Sequence, residues 1–80
     1  MLEEFKDARL VAGAKQTRRA LAAGQVKKLF LAADADPALT EPLAQLAGDK
    51  GVSVERRAAM KELGAACGMA VGAACCAILI

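Results

Sequence analysis

The stretch Leu10–Leu31, "LVAGAKQTRRALAAGQVKKLFL", changes its hydrophobic period twice, and the two changes decide the fold. Leu10, Val11 and Ala12 form a brief apolar run closed by Gly13, which reads as a short strand. From Ala14 to Ala23 the period becomes helical. Thr17, Ala20, Leu21 and Gly24 fall on one face, and Lys15, Arg18, Arg19 and Ala22 on another. Gly24 stops the helix, and "VKKLFLAA" (26–33) then reads as a buried strand entered through a basic turn. A strand, a helix and a strand joined by short connections make an α/β unit.

The flanking sequence repeats the alternation. In "DADP" (34–37), Asp36 is placed as a helix N-cap and Pro37 at the first helical position. Leu39, Leu43 and Leu46 follow at helical spacing, with Pro42 early enough to bend the helix without ending it. "GDKG" (48–51) ends that helix, and "VSVER" (52–56) reads as a third strand. "AAMKELGAACG" (58–68) is a third main helix with Met60, Leu63 and Cys67 on one stripe, and "GAACCAILI" (72–80) an apolar last strand. "LEEFKD" (2–7) is expected to form a short opening helix. The pattern predicts a three-layer α/β/α sandwich around a small four-stranded mixed sheet, its last strand buried. Residues 1–80 are expected to form one domain, near the small end of what folds unaided.

Charge is segregated along the chain although the net value is only +2. Six basic residues and no acidic ones lie between Arg9 and Lys28, whereas five acidic residues face Lys50 alone between Asp34 and Glu55. Such a division suits an oriented approach to a polyanion. The cysteines, Cys67, Cys75 and Cys76, are odd in number and badly spaced for a disulfide framework. They read as buried free thiols in a reducing cytoplasm, with Cys75 and Cys76 on opposite faces of a strand. The N-terminal "MLEEFKDARL" is charged and lacks the apolar core of a signal peptide, so a cytoplasmic location is expected.

Catalysis finds no footing. Histidine is absent, and no hydroxyl or thiol nucleophile stands beside a base in the pattern. The expectation is a non-enzyme with no cofactor and no metal site. Asp34 and Asp36 form a D-x-D pair suited to a divalent cation, but strand end and N-cap is the better reading. Leu63–Ile80 carries no charge and spaces Gly64, Gly68 and Gly72 four apart, as membrane helix-packing motifs do. Six alanines and three glycines leave it weakly apolar, and a broken helix–loop–strand is more natural than a membrane span.

The start of the first helix is electrostatically inverted. Helix N-termini carry partial positive charge and recruit Ser, Thr, Asp or Glu, yet Lys15, Arg18 and Arg19 arrive here. Basic side chains in that turn cost about 0.3–1 kcal/mol relative to acidic ones. An anion bound at the helix end makes both features favourable, and Lys and Gln also suit guanine and adenine edges. With only Phe5 and Phe30 in the chain, a stacking platform for single strands is disfavoured.

"GAKQTRRALAAGQVKKLFLAADADP" (13–37), "DKGVSV" (49–54) and "MKELGAACGMAVGAACCAI" (60–78), in that order, resemble the ribosomal kink-turn-binding family. This is the family of archaeal large-subunit protein seven, eukaryotic large-subunit protein thirty and small bacterial homologues, the bacterial members being nearest. The resemblance implies an α/β/α sandwich and a non-catalytic protein that binds RNA kink-turns, internal loops with a bulge beside tandem sheared G·A pairs. It implies that the N-terminus of the first helix enters the opened major groove. Gly13 would then allow close backbone approach beside Ala14, Lys15 and Gln16 would face guanines, and Arg19 would contact phosphate. Arg18, Lys27 and Lys28 are implied as auxiliary phosphate contacts. Met69, Ala70 and Val71 are implied as the apolar loop covering the extruded bulge nucleotide. Many members have Thr where this chain has Ala14, and an acidic residue where it has Ala70. The implied partner is structured ribosomal or regulatory RNA, with a ribosome-associated protein that is monomeric when free. The alternative is a structural or protein-interaction module of the same fold without kink-turn specificity.

Overall fold

The computed structural model describes residues 8–56, 59–68 and 71–80. Four strands and three helices alternate: β1 (Leu10–Ala12), α1 (Ala14–Ala22), β2 (Val26–Leu31), α2 (Pro37–Asp49), β3 (Ser53–Glu55), α3 (Met60–Ala66) and β4 (Cys75–Leu79). The sheet order is β1-β4-β2-β3. β4 runs antiparallel to both its neighbours, and β2 pairs parallel with β3, so the sheet is mixed and its last strand is internal. The expected opening helix at 2–7 lies outside the described residues.

Period-two alternation builds a core on each face of the sheet. Leu29, Leu31, Cys75 and Ala77 pack with Ala20 and Leu21 of α1 and with Leu43 and Ala47 of α2. Phe30, Cys76 and Ile78 point the other way and pack with Leu63 of α3, flanked by Met60 and Cys67. Helices thus cover both faces, giving the expected three layers. One irregularity was not legible: a regular strand would put Val26 and Leu29, three apart, on opposite faces. The ladder slips between Val26 and Lys28, leaving Lys27 as the extra residue of a bulge. The slip brings Val26 into the α1–α2 core with Leu29.

Helix ends follow local chemistry. At the end of α1 the Gln25 amide donates to Ala20 O and the Gly24 amide to Leu21 O, with Gly24 at φ 70°. α2 ends the same way at Gly51, φ 69°, through Val52 to Ala47 O and Gly51 to Gly48 O. These paired bonds satisfy carbonyls that a helix end otherwise leaves open. Pro42 stands inside α2 without ending it. Of the leucines at helical spacing, Leu43 is buried and Leu46 packs against the core, and Leu39 is the exception. The buried face of α2 is Thr40, Leu43 and Ala47, and Leu39 is 43% exposed. The helix is rotated so that Leu39 turns toward α1 rather than the sheet.

Of the glycines spaced at 64, 68 and 72, Gly64 and Gly72 have a packing cause, whereas Gly68 has open space around it and turns the chain at φ 75°. A Cβ on Gly64 would overlap the Val71 carbonyl oxygen and stand 2.9 Å from Gly72 Cα. A Cβ on Gly72 would meet Met60 at 3.2 Å. α3 therefore lies directly on the segment leading into β4, and the Ala73 amide donates to Met60 O at 2.9 Å. Among the described residues, no helix is long and apolar enough to cross a membrane.

Candidate nucleic-acid interface

Three described helices begin at the same sheet end, and their N-termini are treated differently. At α2, Asp36 accepts from the Ala38 amide at 2.9 Å. At α3, Asp34 Oδ1 accepts from the Met60 amide at 2.8 Å, and Glu62 accepts from the Ala59 amide at 3.3 Å. The D-x-D pair is thus accounted for by two helix caps. α1 has no capping side chain and no acidic residue in its first turn. Its first intrahelical bond runs from the Thr17 amide to Gly13 O at 3.0 Å. The amides of Ala14, Lys15 and Gln16 therefore point past the helix end with no acceptor among the described residues.

Gly13 fixes where that end points. Its φ of 93° and ψ of 146° lie where side-chain-bearing residues rarely go, and a Cβ there would meet nothing within 4 Å. Its amide donates to Cys75 O at 3.2 Å, anchoring the start of α1 to the start of β4. The Ala32 amide donates to Ala74 O at 2.8 Å on the other side of β4. Those bonds set the α1 N-terminus beside the loop that enters β4, where Val71 is 69% exposed. Met69 and Ala70, the other two expected loop contacts, lie outside the described residues.

The basic residues divide into two groups. The side chains of Lys15, Arg18 and Arg19, and of the neutral Gln16 among them, are exposed along α1 and make no hydrogen bond or ion pair with another described residue. Lys15 and Arg18 also line a shallow groove of about 360 Å³ against Ala38, Leu39, Pro42 and Leu43. Buried Thr17, Ala20 and Leu21 hold the opposite face of α1 on the sheet, which sends these four outward. Lys27, the bulge residue, and Lys28, opposite Ile78, sit at the start of β2, at the far end of the sheet from Gly13. Lys28 is engaged there: its Nζ lies 3.1 Å from Glu55 and 5.1 Å from the Phe30 ring centre. Sequence reading missed this pair because it joins neighbouring strands far apart in the chain.

Burial keeps Cys75 and Cys76 in the thiol form. Burial pushes the Cys75 thiol up, with the Thr17 hydroxyl partly offsetting it. Burial pushes Cys76 up strongly, reinforced by its hydrogen bond with Cys67. Among the described residues, no three His, Cys, Asp or Glu side chains gather as a metal site. The expectation that three cations crowd the start of α1 needs correction: Lys15 lies in the first turn, whereas the helix is so short that Arg19 already lies in the last turn, where the dipole favours a cation. What this end of the molecule offers is a helix N-terminus left open, Lys15 beside it, and the exposed Val71 on the chain that leads into β4.

The Ribosomal protein L7Ae/L30e/S12e/Gadd45 family matches residues 3–80. The chain belongs to this family. It is 48% identical over 71 residues to an "RNA-binding protein" of Bacillus pumilus, covering 89% of this chain and 87% of that one. It is 42% identical over 71 residues to "RNA-binding protein YbxF" of Geobacillus stearothermophilus, with the same coverage. Among solved structures, the Giardia lamblia 15.5kD RNA binding protein superposes with a TM-score of 0.83 at 28% identity. That alignment covers 89% of this chain and 60% of the Giardia chain. A Bacillus halodurans protein of unknown function superposes with a TM-score of 0.79 at 25% identity, over 86% of this chain and 69% of that one.

Proposed function

We propose that this family member is a non-catalytic RNA-binding protein that recognises kink-turns and holds them in the kinked form. The observation that carries the reading is the contrast between helix starts: α2 and α3 each take a carboxylate, while α1 takes none and carries Lys15 in its first turn, with Arg18 and Arg19 exposed further along the helix. Phosphate at a helix N-terminus satisfies amides and dipole together. In this reading Gly13 and Ala14 let the backbone approach the RNA closely. Lys15 and Gln16 reach the base edges of the sheared G·A pairs, and Arg18 and Arg19 contact phosphates. Met69, Ala70 and Val71 cover the extruded nucleotide, consistent with the anchoring of α1 to β4 through Gly13 and Cys75. Lys27 and Lys28, at the other end of the sheet, would meet only the phosphates of a longer stem.

The mechanism is population shift. RNA that exchanges between straight and kinked forms is held kinked by contacts only the kinked form supplies. The names of the bacterial and Giardia relatives support RNA as the partner. Ribosomal RNA or a regulatory RNA in the cytoplasm is the expected target. An electrophoretic titration of a kink-turn RNA, beside one whose G·A pairs are replaced by Watson–Crick pairs, tests the proposal. Preference for the intact kink-turn is expected. Equal affinity for both would leave general RNA binding, and no affinity at physiological salt would leave a protein-interaction module.

A further inference from the structure

We propose that Cys67 and Cys76 are an oxidation-sensitive pair that closes reversibly into an intramolecular disulfide. The Cys67 thiol donates to Cys76 Sγ at 2.6 Å. That separation exceeds a sulfur–sulfur bond by only about half an ångström, so closure needs little movement of either residue. The topology explains the meeting: Cys67 ends α3, Cys76 lies on the face of β4 that α3 covers, and Gly64 lets α3 settle onto the intervening chain. Cys75 faces the opposite core, where its thiol donates to Thr17 Oγ1 at 3.7 Å.

Access to the two sulfurs differs, and this sets the order of events. Cys67 is half-buried beside the exposed Gly68, whereas Cys76 is 0% exposed. A peroxide therefore meets Cys67 first. The Cys67 thiolate attacks one peroxide oxygen, the O–O bond breaks, and Cys67 becomes a sulfenic acid while the departing hydroxide takes up a proton as water. Cys76 then attacks the Cys67 sulfur, the S–O bond breaks, and the leaving hydroxide carries away the Cys76 proton as a second water. Two thiols and one hydrogen peroxide give one disulfide and two waters, with two electrons passing from sulfur to oxygen. Burial that shields Cys76 from solvent does not shield it from Cys67. In a reducing compartment such a bond forms transiently, as redox-sensing disulfides do. Once formed, it ties the end of α3 to β4 and encloses residues 68–75, including Val71.

The test uses the full chain, reduced and then exposed to equimolar hydrogen peroxide, with remaining thiols alkylated in denaturant. Intact mass should fall by two hydrogens before alkylation, and one thiol should be labelled where the reduced protein labels three. Peptide mapping should place the link between Cys67 and Cys76, and dithiothreitol should reverse it. Cys75→Ser should form the same link, while Cys67→Ser, checked for native circular dichroism, should not. Three labelled thiols after peroxide, a link involving Cys75, or a disulfide-linked dimer as main product would each overturn the proposal. No RNA enters the measurement, so this inference and the RNA-binding reading fail independently.

Discussion

Gly13 carries both the backbone geometry and the proposed contact surface, so Gly13→Ala is the perturbation with the most to say. At φ 93° and ψ 146° an L-alanine is strained, and such conformations cost about 1–3 kcal/mol. Sterics do not add to this, because a Cβ at Gly13 meets nothing within 4 Å. The cost is therefore purely conformational. Relaxing it by moving φ negative would break the Gly13-to-Cys75 hydrogen bond that anchors α1, worth about 0.5–1.5 kcal/mol. Urea unfolding should show a loss of about 1–3 kcal/mol, equivalent to roughly 5–20 °C in Tm for a domain of this size. Two controls isolate the cause. Gly48→Ala, in α2 with equally open space, should stabilise by about 0.5–1 kcal/mol. D-alanine at position 13, introduced by chemical ligation, tolerates the positive φ and should lose less stability than L-alanine. Equal stability of the L-alanine variant and the wild type would refute the assigned backbone geometry. So would equal losses for L- and D-alanine.

Other consequences follow from the same contacts. Gly64→Ala should destabilise by about 1–3 kcal/mol or more in urea, because its Cβ would overlap the Val71 carbonyl and no flexible side chain is there to yield. Stability should decline with alkaline pH. The folded-state pKa values of Cys75 and Cys76 are raised, so their contribution is complete below the unfolded thiol value near about pH 8.5 and is lost as pH rises above it. Urea midpoints from pH 7 to 10 should fall, and the slope should shrink in Cys75→Ala. Lys15→Ala should weaken kink-turn binding by about 1–3 kcal/mol, while Arg19→Ala should reduce the slope of log affinity against log salt by about one. Fluorescence titrations across a salt series separate the two effects.

Sequence periodicity was sufficient for the three layers because the central strands, over Leu29–Leu31 of β2 and Cys75–Ile78 of β4, bury alternate residues in opposite cores. Cys75 and Cys76 illustrate it: adjacent in the chain, they lie in different cores, as a period of two requires. The absence of a local cap at the start of α1 was legible too, since none of the residues in its first turn carries a capping side chain that suits the role. What escaped were contacts made across the chain. Asp34 caps α3 from the loop after β2, and nothing in "DADP" reveals that partner. Lys28 reads as a free cation until Glu55 arrives on the neighbouring strand. Leu39 fits a helical stripe as well as Thr40 does, and only docking against α1 and the sheet decides between them. The Cys67–Cys76 contact was dismissed on spacing, because nine residues of separation say nothing about a helix folding back onto a strand. Gly64 and Gly72 of the membrane-like spacing mark the close packing of α3 on the chain before β4, an approach of backbones that only small residues allow, whereas Gly68 is there for its positive φ.

The central claim is that the open end of α1 and its adjoining loop select the kinked form of the RNA. A kink-turn duplex with donor and acceptor dyes at its two ends, observed without divalent cations, reports that selection directly. Adding the protein in stoichiometric amounts should raise transfer efficiency as the ends draw together. The rise should be absent for an RNA lacking the G·A pairs and displaced to higher protein concentration for Lys15→Ala. Binding without a rise in transfer, or an equal rise with both RNAs, would contradict the account.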